Sequence, residues 1–175
     1  YGVVRSHNGH ITVNSEVNSG TIFTIYLPRI MNGRLPRNSS AAQRDVVGGT
    51  ERILLVEDEI SIGEVGSEML TELGYTIETA GDGREAIRKI AEAPKPFDLI
   101  ILDMNLPRMG GRETFLHVRE MFPNQKILVC SGYHATMLDD GKFASMVDGF
   151  LQKPYEIAEI AERIRSILDA GKKGA

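Results

Sequence analysis

"DLIILDMNLPRMGG", residues 98–111, sets an apolar run, Leu99 to Leu102, directly against a carboxylate, Asp103. A short run that is apolar at every position reads as a strand buried on both faces, the situation in a parallel sheet covered by helices on either side. A lone buried charge is costly, so an aspartate at that place is paired, metal-bound or at the strand's solvent-facing end. Asn105, Pro107, Gly110 and Gly111 then break the strand.

The same pattern recurs on both sides. "RILLVED" (52–58) is another short apolar run ending in acids. In "ISIGEVGSEMLTEL" (60–73), Ile62, Val65, Met69, Leu70 and Leu73 fall on one helical face. "YTIETA" (75–80) alternates like a strand, and "DGREAIRKIAEA" (82–93) opens with Asp82 as a helix N-cap. After the strand at 97–103, "GRETFLHVREMF" (111–122) reads as a helix and "KILVCSG" (126–132) as a strand. "HATMLDDGKFASM" (134–146) is only weakly helical, with Gly141 inside it. "DGFLQKP" (148–154) supplies a fifth strand. "EIAEIAERIRSIL" (156–168) is an amphipathic helix along Ile157, Ile160, Ala161, Ile164 and Leu168. Five β-α units in succession predict an α/β fold with a five-stranded parallel sheet.

The beginning of the chain is different. "YGVVRSHNG" (1–9) reads as the last turns of a helix, with Gly9 as its stop. "HITVNSEV" and "TIFTIYLP", joined by "NSG", form a β-hairpin pattern over 10–28. Two strands and a helix end cannot bury a core alone, so this stretch reads as an appendage or the remnant of a larger domain. Residues 29–50, rich in Gly, Pro, Ser and Arg without periodicity, have linker composition. The expected division is therefore 1–28, a linker at 29–50, the α/β domain at 51–169 and a tail at 170–175.

The totals narrow the class. The 175 residues are 42% hydrophobic and 25% charged, ordinary for a globular chain with one full domain. A formal charge of −4 argues against direct nucleic-acid binding. The single cysteine, Cys130, permits no intrachain disulfide and favours a reducing, cytoplasmic setting. No apolar run approaches the roughly 20 residues that span a bilayer. His7, His10, His117 and His134 have no metal-ligand spacing and read as surface or cap residues.

In an open parallel sheet, functional side chains collect beyond the C-terminal ends of the strands. Those positions hold Glu57 and Asp58, then Asp103, then Ser131, then Lys153. Three clustered carboxylates repel one another unless a cation joins them. Hard oxygen donors with room for water suit Mg²⁺. Asp103 can then attack phosphorus as a carboxylate nucleophile, with Lys153 and the Ser131 hydroxyl holding the transferring oxygens.

"VEDE", "LDMNLPRMGG", "CSG" and "FLQKP", in that order, resemble the response-regulator receiver family over roughly residues 51–169. The resemblance implies a doubly wound, flavodoxin-like (βα)5 receiver fold with Asp103 as phosphoacceptor, here with the hairpin as an N-terminal appendage. It also implies Mg²⁺ (or Mn²⁺) held by Glu57, Asp58, Asp103 and the carbonyl of Asn105. Ser131 and Phe150 become the switch pair, Lys153 the phosphate contact and the Lys153–Pro154 bond cis. Tyr133, two residues beyond the switch hydroxyl, falls where the family tunes dephosphorylation. The acidic pair is Glu-Asp where Asp-Asp is frequent. "YGVVRSHNGHITVNSEVNSGTIFTIYLP" (1–28) is similar to the end of a histidine kinase ATP-binding domain. That domain's nucleotide-contacting motifs and the phosphorylated histidine segment are expected upstream. Together the two resemblances suggest the C-terminal end of a hybrid sensor histidine kinase, whose parent can be membrane-attached. The implied partner is a histidine kinase or histidine phosphotransfer protein; a weak homodimer stays open. So does a second class, a receiver-like module that docks on a kinase without being phosphorylated. A flavodoxin-like cofactor binder is disfavoured because the acidic "VEDEIS" loop would repel a phosphate. An aspartyl phosphatase is disfavoured because Asn105 stands where its second Asp belongs.

Overall fold

A computed structural model describes residues 4–5, 9–17, 19–28, 46–132 and 141–170. Most of the linker segment, His7, His134, Tyr133 and the tail beyond Ala170 lie outside the described residues. The chain divides into two compact units, Tyr1–Gln43 and Arg44–Ala175.

The larger unit is built on β3 (Arg52–Val56), β4 (Thr76–Ala80), β5 (Leu99–Asp103), β6 (Ile127–Ser131) and β7 (Gly149–Gln152). All neighbours pair in parallel, in the order β4-β3-β5-β6-β7. The apolar strand ending in Asp103, β5, is therefore the central one, buried at every residue. Around it run α1 (Ile60–Glu72), α2 (Gly83–Glu92), α3 (Gly111–Met121), the short α4 (Gly141–Ala144) and α5 (Ile157–Asp169).

Strand alternation sorts the core into two layers. Leu54, Val56, Ile100, Leu102, Ile127 and Val129 pack with Ala86 and Ile90 of α2, Phe115 and Val118 of α3 and Phe143 of α4. Ile53, Leu55, Leu99, Ile101, Leu128 and Leu151 pack with Leu70 of α1 and with Ile160, Ile164, Ile167 and Leu168 of α5. Helices thus cover both faces, which is the expected doubly wound arrangement.

Helix α1 departs from the periodic reading. Leu70 is buried and Leu73 packs on the core as that reading expects, but Ile62 and Val65 are 41% and 56% exposed while Gly63 is buried. A Cβ on Gly66 would lie 3.2 Å from Leu55 Cδ2. Glycines let the α1 backbone approach the sheet and leave the larger apolar side chains on its flank. There, Ile62, Val65 and Met69 line a groove of about 610 Å³ with Lys153, Pro154 and Tyr155. Gly49, placed in the linker by composition, donates its N–H to the Leu73 carbonyl at 3.0 Å.

In the smaller unit β1 (His10–Glu16) and β2 (Gly20–Tyr26) form an antiparallel hairpin with Ile11 opposite Ile25 and Val13 opposite Phe23. Gly20 has φ +99°, a left-handed turn conformation that glycine adopts without cost. Val4 and Arg5 are helical, and the Gly9 N–H donates to the Val4 carbonyl at 2.8 Å.

Candidate functional site

The parallel register carries four strand ends to one edge. The N–H of Glu57, the residue after β3, donates to Ala80 O at 3.0 Å, and that of Met104, after β5, to Cys130 O at 3.0 Å. The Lys153 N–H donates to Ser131 O at 2.9 Å, which aligns β7 with β6. Asp103 is the last residue of β5 and is only 6% exposed.

Its burial is explained by pairing. Lys153 Nζ donates to Asp103 Oδ2 at 2.7 Å and to Glu57 Oε2 at 2.5 Å. The other Asp103 oxygen accepts from the Asn105 N–H at 3.1 Å. Glu57 Oε1 is approached by the Glu59 N–H at 3.4 Å. Neighbours in sequence, Glu57 is half-buried and Asp58 exposed. One carboxylate oxygen from each of Glu57, Asp58 and Asp103 lies within 4.8 Å of the others.

Burial pushes the Glu57 carboxyl above its ordinary range, against the hydrogen bond and charge of Lys153, which pull it down. Burial alone would lower the Lys153 ammonium. Its hydrogen bonds to Asp103 and Glu57, and their charges, outweigh that and hold it above its usual range. Three carboxylates facing one ammonium leave excess negative charge. The donors are hard oxygens, and octahedral coordination at 2.0–2.1 Å places ligand oxygens about 3 to 4 Å apart. A spread of 4.8 Å is close enough for this cluster to hold a metal ion after a small side-chain adjustment.

Ser131 ends β6 and is 2% exposed; Phe150 sits in β7, half-buried against the layer containing Val129 and Phe143. The Lys153–Pro154 peptide is cis. Of the residues singled out in the sequence, Glu57, Asp58, Asp103, Asn105, Ser131 and Lys153 meet at this edge, and Tyr133 lies outside the described residues.

A contact across the rim escaped the sequence reading. The Arg108 guanidinium, in the loop after β5, donates to Asp82 Oδ2 at 2.5 Å, while Asp82 Oδ1 caps α2 by accepting from the Glu85 N–H at 2.9 Å. Asp82 was visible as a cap. Nothing in the sequence marked its second oxygen as the anchor of a loop 26 residues away.

Residues 53–165 match the family model described as the response regulator receiver domain. The sensor kinase CckA of Brucella abortus is 29% identical over 176 residues, covering 97% of this chain but 19% of that protein. The chemotaxis protein CheY of Thermotoga maritima is 29% identical over 120 residues, covering 67% of this chain and 97% of that one. A solved structure of the response regulator TrrA of Thermotoga maritima, in complex with Mg²⁺-BeF, superposes with a TM-score of 0.62 at 32% identity. It covers 68% of this chain and 100% of that chain. The central strand, its acidic neighbours and the lysine beyond the last strand all fall within the matched segment, and the chain belongs to the response regulator receiver domain family.

Proposed function

We propose that the chain is a phosphoacceptor in a two-component phosphorelay, taking a phosphoryl group from a phosphohistidine onto Asp103. The observation that carries this is the buried Asp103 carboxylate, held 2.7 Å from Lys153 beside two further carboxylates at the sheet's C-terminal edge. An Asp103 oxygen attacks phosphorus, the P–O bond forms as the P–N bond breaks, and the electron pair leaves with the imidazole, which takes up a proton. Lys153, already oriented by Asp103 and Glu57, turns its ammonium to a phosphoryl oxygen as charge moves there. Glu57, Asp58, Asp103 and the Asn105 carbonyl are the proposed holders of Mg²⁺, or Mn²⁺ in its place. When bound, the ion neutralises charge on the phosphoryl oxygens. The Mg²⁺-BeF complex of TrrA supports that assignment by similarity.

In this reading Ser131 moves toward the phosphoryl group and Phe150 inward, shifting the surface around 134–155 between two states. Tyr133 shields the acyl phosphate from water, so Tyr133→Ala and Tyr133→Glu speed its decay, measured by loss of phosphoprotein after donor removal. Residues 1–28 are read as the end of a kinase ATP-binding domain, followed by a linker at 29–50, the receiver at 51–169 and a tail. The match to a sensor kinase across 97% of this chain supports that reading. The partner is then a histidine kinase or phosphotransfer protein, and the compartment the cytoplasm.

The test is mass spectrometry after incubation with a phosphohistidine donor and Mg²⁺. One phosphoryl group on Asp103, absent in Asp103→Asn and in chelator, is the expected result. Intact protein without modification, still binding the kinase, would establish a docking module instead.

A further inference from the structure

Arg108 is, among the described residues, the non-glycine residue with a left-handed backbone, φ 65°. An L-residue with a long side chain holds that conformation only where its surroundings over-determine it. The loop it tops, from Met104 to Gly110, is closed tightly at its base. A Cβ on Gly111 would lie 2.3 Å from Asp103 O and 2.4 Å from Met104 Cα, and the Gly111 N–H reaches Met104 O at 3.3 Å. The apex is held by the ion pair to Asp82, a residue itself fixed as the cap of α2. Gly83, next to it, leaves no room for a Cβ beside Thr114 of α3, only 1.9 Å away. The anchor therefore sits on a close α2–α3 contact.

We propose that the Arg108–Asp82 pair is a positioning strap. It holds the Met104–Gly110 loop so that Asn105 meets Asp103 on one side and offers its carbonyl to the cation on the other. This rests on the metal assignment made above. The backbone N–H of Glu85 is the main cause holding the Asp82 carboxyl below its ordinary range, and the Arg108 charge adds to it, so the strap stays charged at neutral pH.

Positioning and bulk electrostatics predict opposite things at Arg108. Losing the Arg108 cation should strengthen cation binding if only charge matters, and losing the Asp82 anion should weaken it. A strap weakens it in both cases. Arg108→Asn tolerates the left-handed backbone, and Asp82→Asn keeps a competent cap, so each removes the ion pair with little other change. Calorimetric titration of the full chain with Mn²⁺ should show affinity lowered about two- to fivefold in each variant, the scale of an exposed ion pair. The double variant should be no weaker than either single one, and Arg108→Lys should recover most of the loss. Hydrogen exchange of the metal-free protein should show the Asn105 amide opening faster in both single variants. Unchanged affinity and exchange, or affinity shifts of opposite sign, overturns the strap while leaving the receiver reading in place. A wild-type chain that binds no Mn²⁺ overturns the metal assignment as well.

Discussion

Asp103 shows what a single residue can disclose. Its position at the end of an apolar strand, with Glu57 and Asp58 at the end of a second strand and Lys153 at the end of a third, was readable because parallel strands in register bring their C-terminal ends together. Which acid is buried was not readable, since adjacent residues differ only by the side of the strand they leave from. Glu57 is drawn in against Lys153, and Asp58 stays at the surface with no ion pair among the described residues. In the metal-free protein Asp58 therefore adds repulsion without a compensating cation. Asp58→Asn should raise stability in chelator by about 1 kcal/mol, the Coulomb energy of unit charges some 4 Å apart in a water-like dielectric. It should also abolish the rise in melting temperature produced by Mg²⁺; a variant still stabilised by Mg²⁺ would remove Asp58 from the site. Cys130, beside Asp103 in the sheet, has its thiol pushed up from 9.0 to about 12 by burial. The folded chain thus keeps a proton that the unfolded chain releases, and stability falls as pH rises from 9.0 toward 12. Cys130→Ala should flatten that fall, seen in urea midpoints at about pH 8 and about pH 10. Equal slopes would assign the alkaline loss to other groups.

Among the elements, the strongly periodic ones were legible and the exceptions have physical causes. Helix α5 buries Ile160, Ala161, Ile164 and Leu168, four of the five positions its pattern marks, and leaves Ile157 at its first turn half-buried. Helix α1 follows its pattern at Leu70 and Leu73 but not at Ile62 and Val65, because hydrophobic periodicity counts large side chains, and close approach to a sheet is made by small ones. Gly63 and Gly66 are invisible to such a count. The segment before β7 was only weakly helical in sequence, and within its described part the helix is four residues, Gly141–Ala144. So short a helix cannot stand on backbone hydrogen bonds alone. Phe143 supplies the hold: it is 4% exposed, meets the Phe115 ring edge-on at 5.0 Å, and lies under the Arg112 guanidinium at 4.8 Å. Phe143→Ala should cost about 3 kcal/mol in denaturant unfolding. Amide exchange around 141–147 should accelerate beyond that global change. Exchange that rises only in step with global stability would mean that α4 is held by its neighbours in sequence.

At the scale of the molecule, two units carry unequal shares of the folding free energy. Both layers of buried core are drawn from residues 53–168, and none of the described hairpin residues belongs to either. The hairpin instead exposes much of its apolar side chains: Val13 61%, Ile22 67%, Phe23 66% and Ile25 54%. Ile11, Val13, Phe23 and Ile25 share one face by the register of the two strands. Two strands alone are at best marginally stable in water, and such a face is one that folded proteins cover. That inequality was legible from the sequence, where a helix end and two alternating strands stood before a complete set of five β-α units. Removing residues 1–45 should therefore leave the melting temperature of the remaining chain within about 3 °C, a change worth no more than about 1 kcal/mol for a domain of this size. The truncated chain should also sediment as a monomer at concentrations where the full chain, with its apolar hairpin face, begins to associate. A fall in melting temperature well beyond that margin would show that the first unit contributes to the stability of the second. Equal association of the two chains would move the sticky surface from the hairpin to the receiver, where Ile60, Ile62 and Val65 of α1 and Leu116 and Met121 of α3 are among the exposed apolar side chains able to account for it.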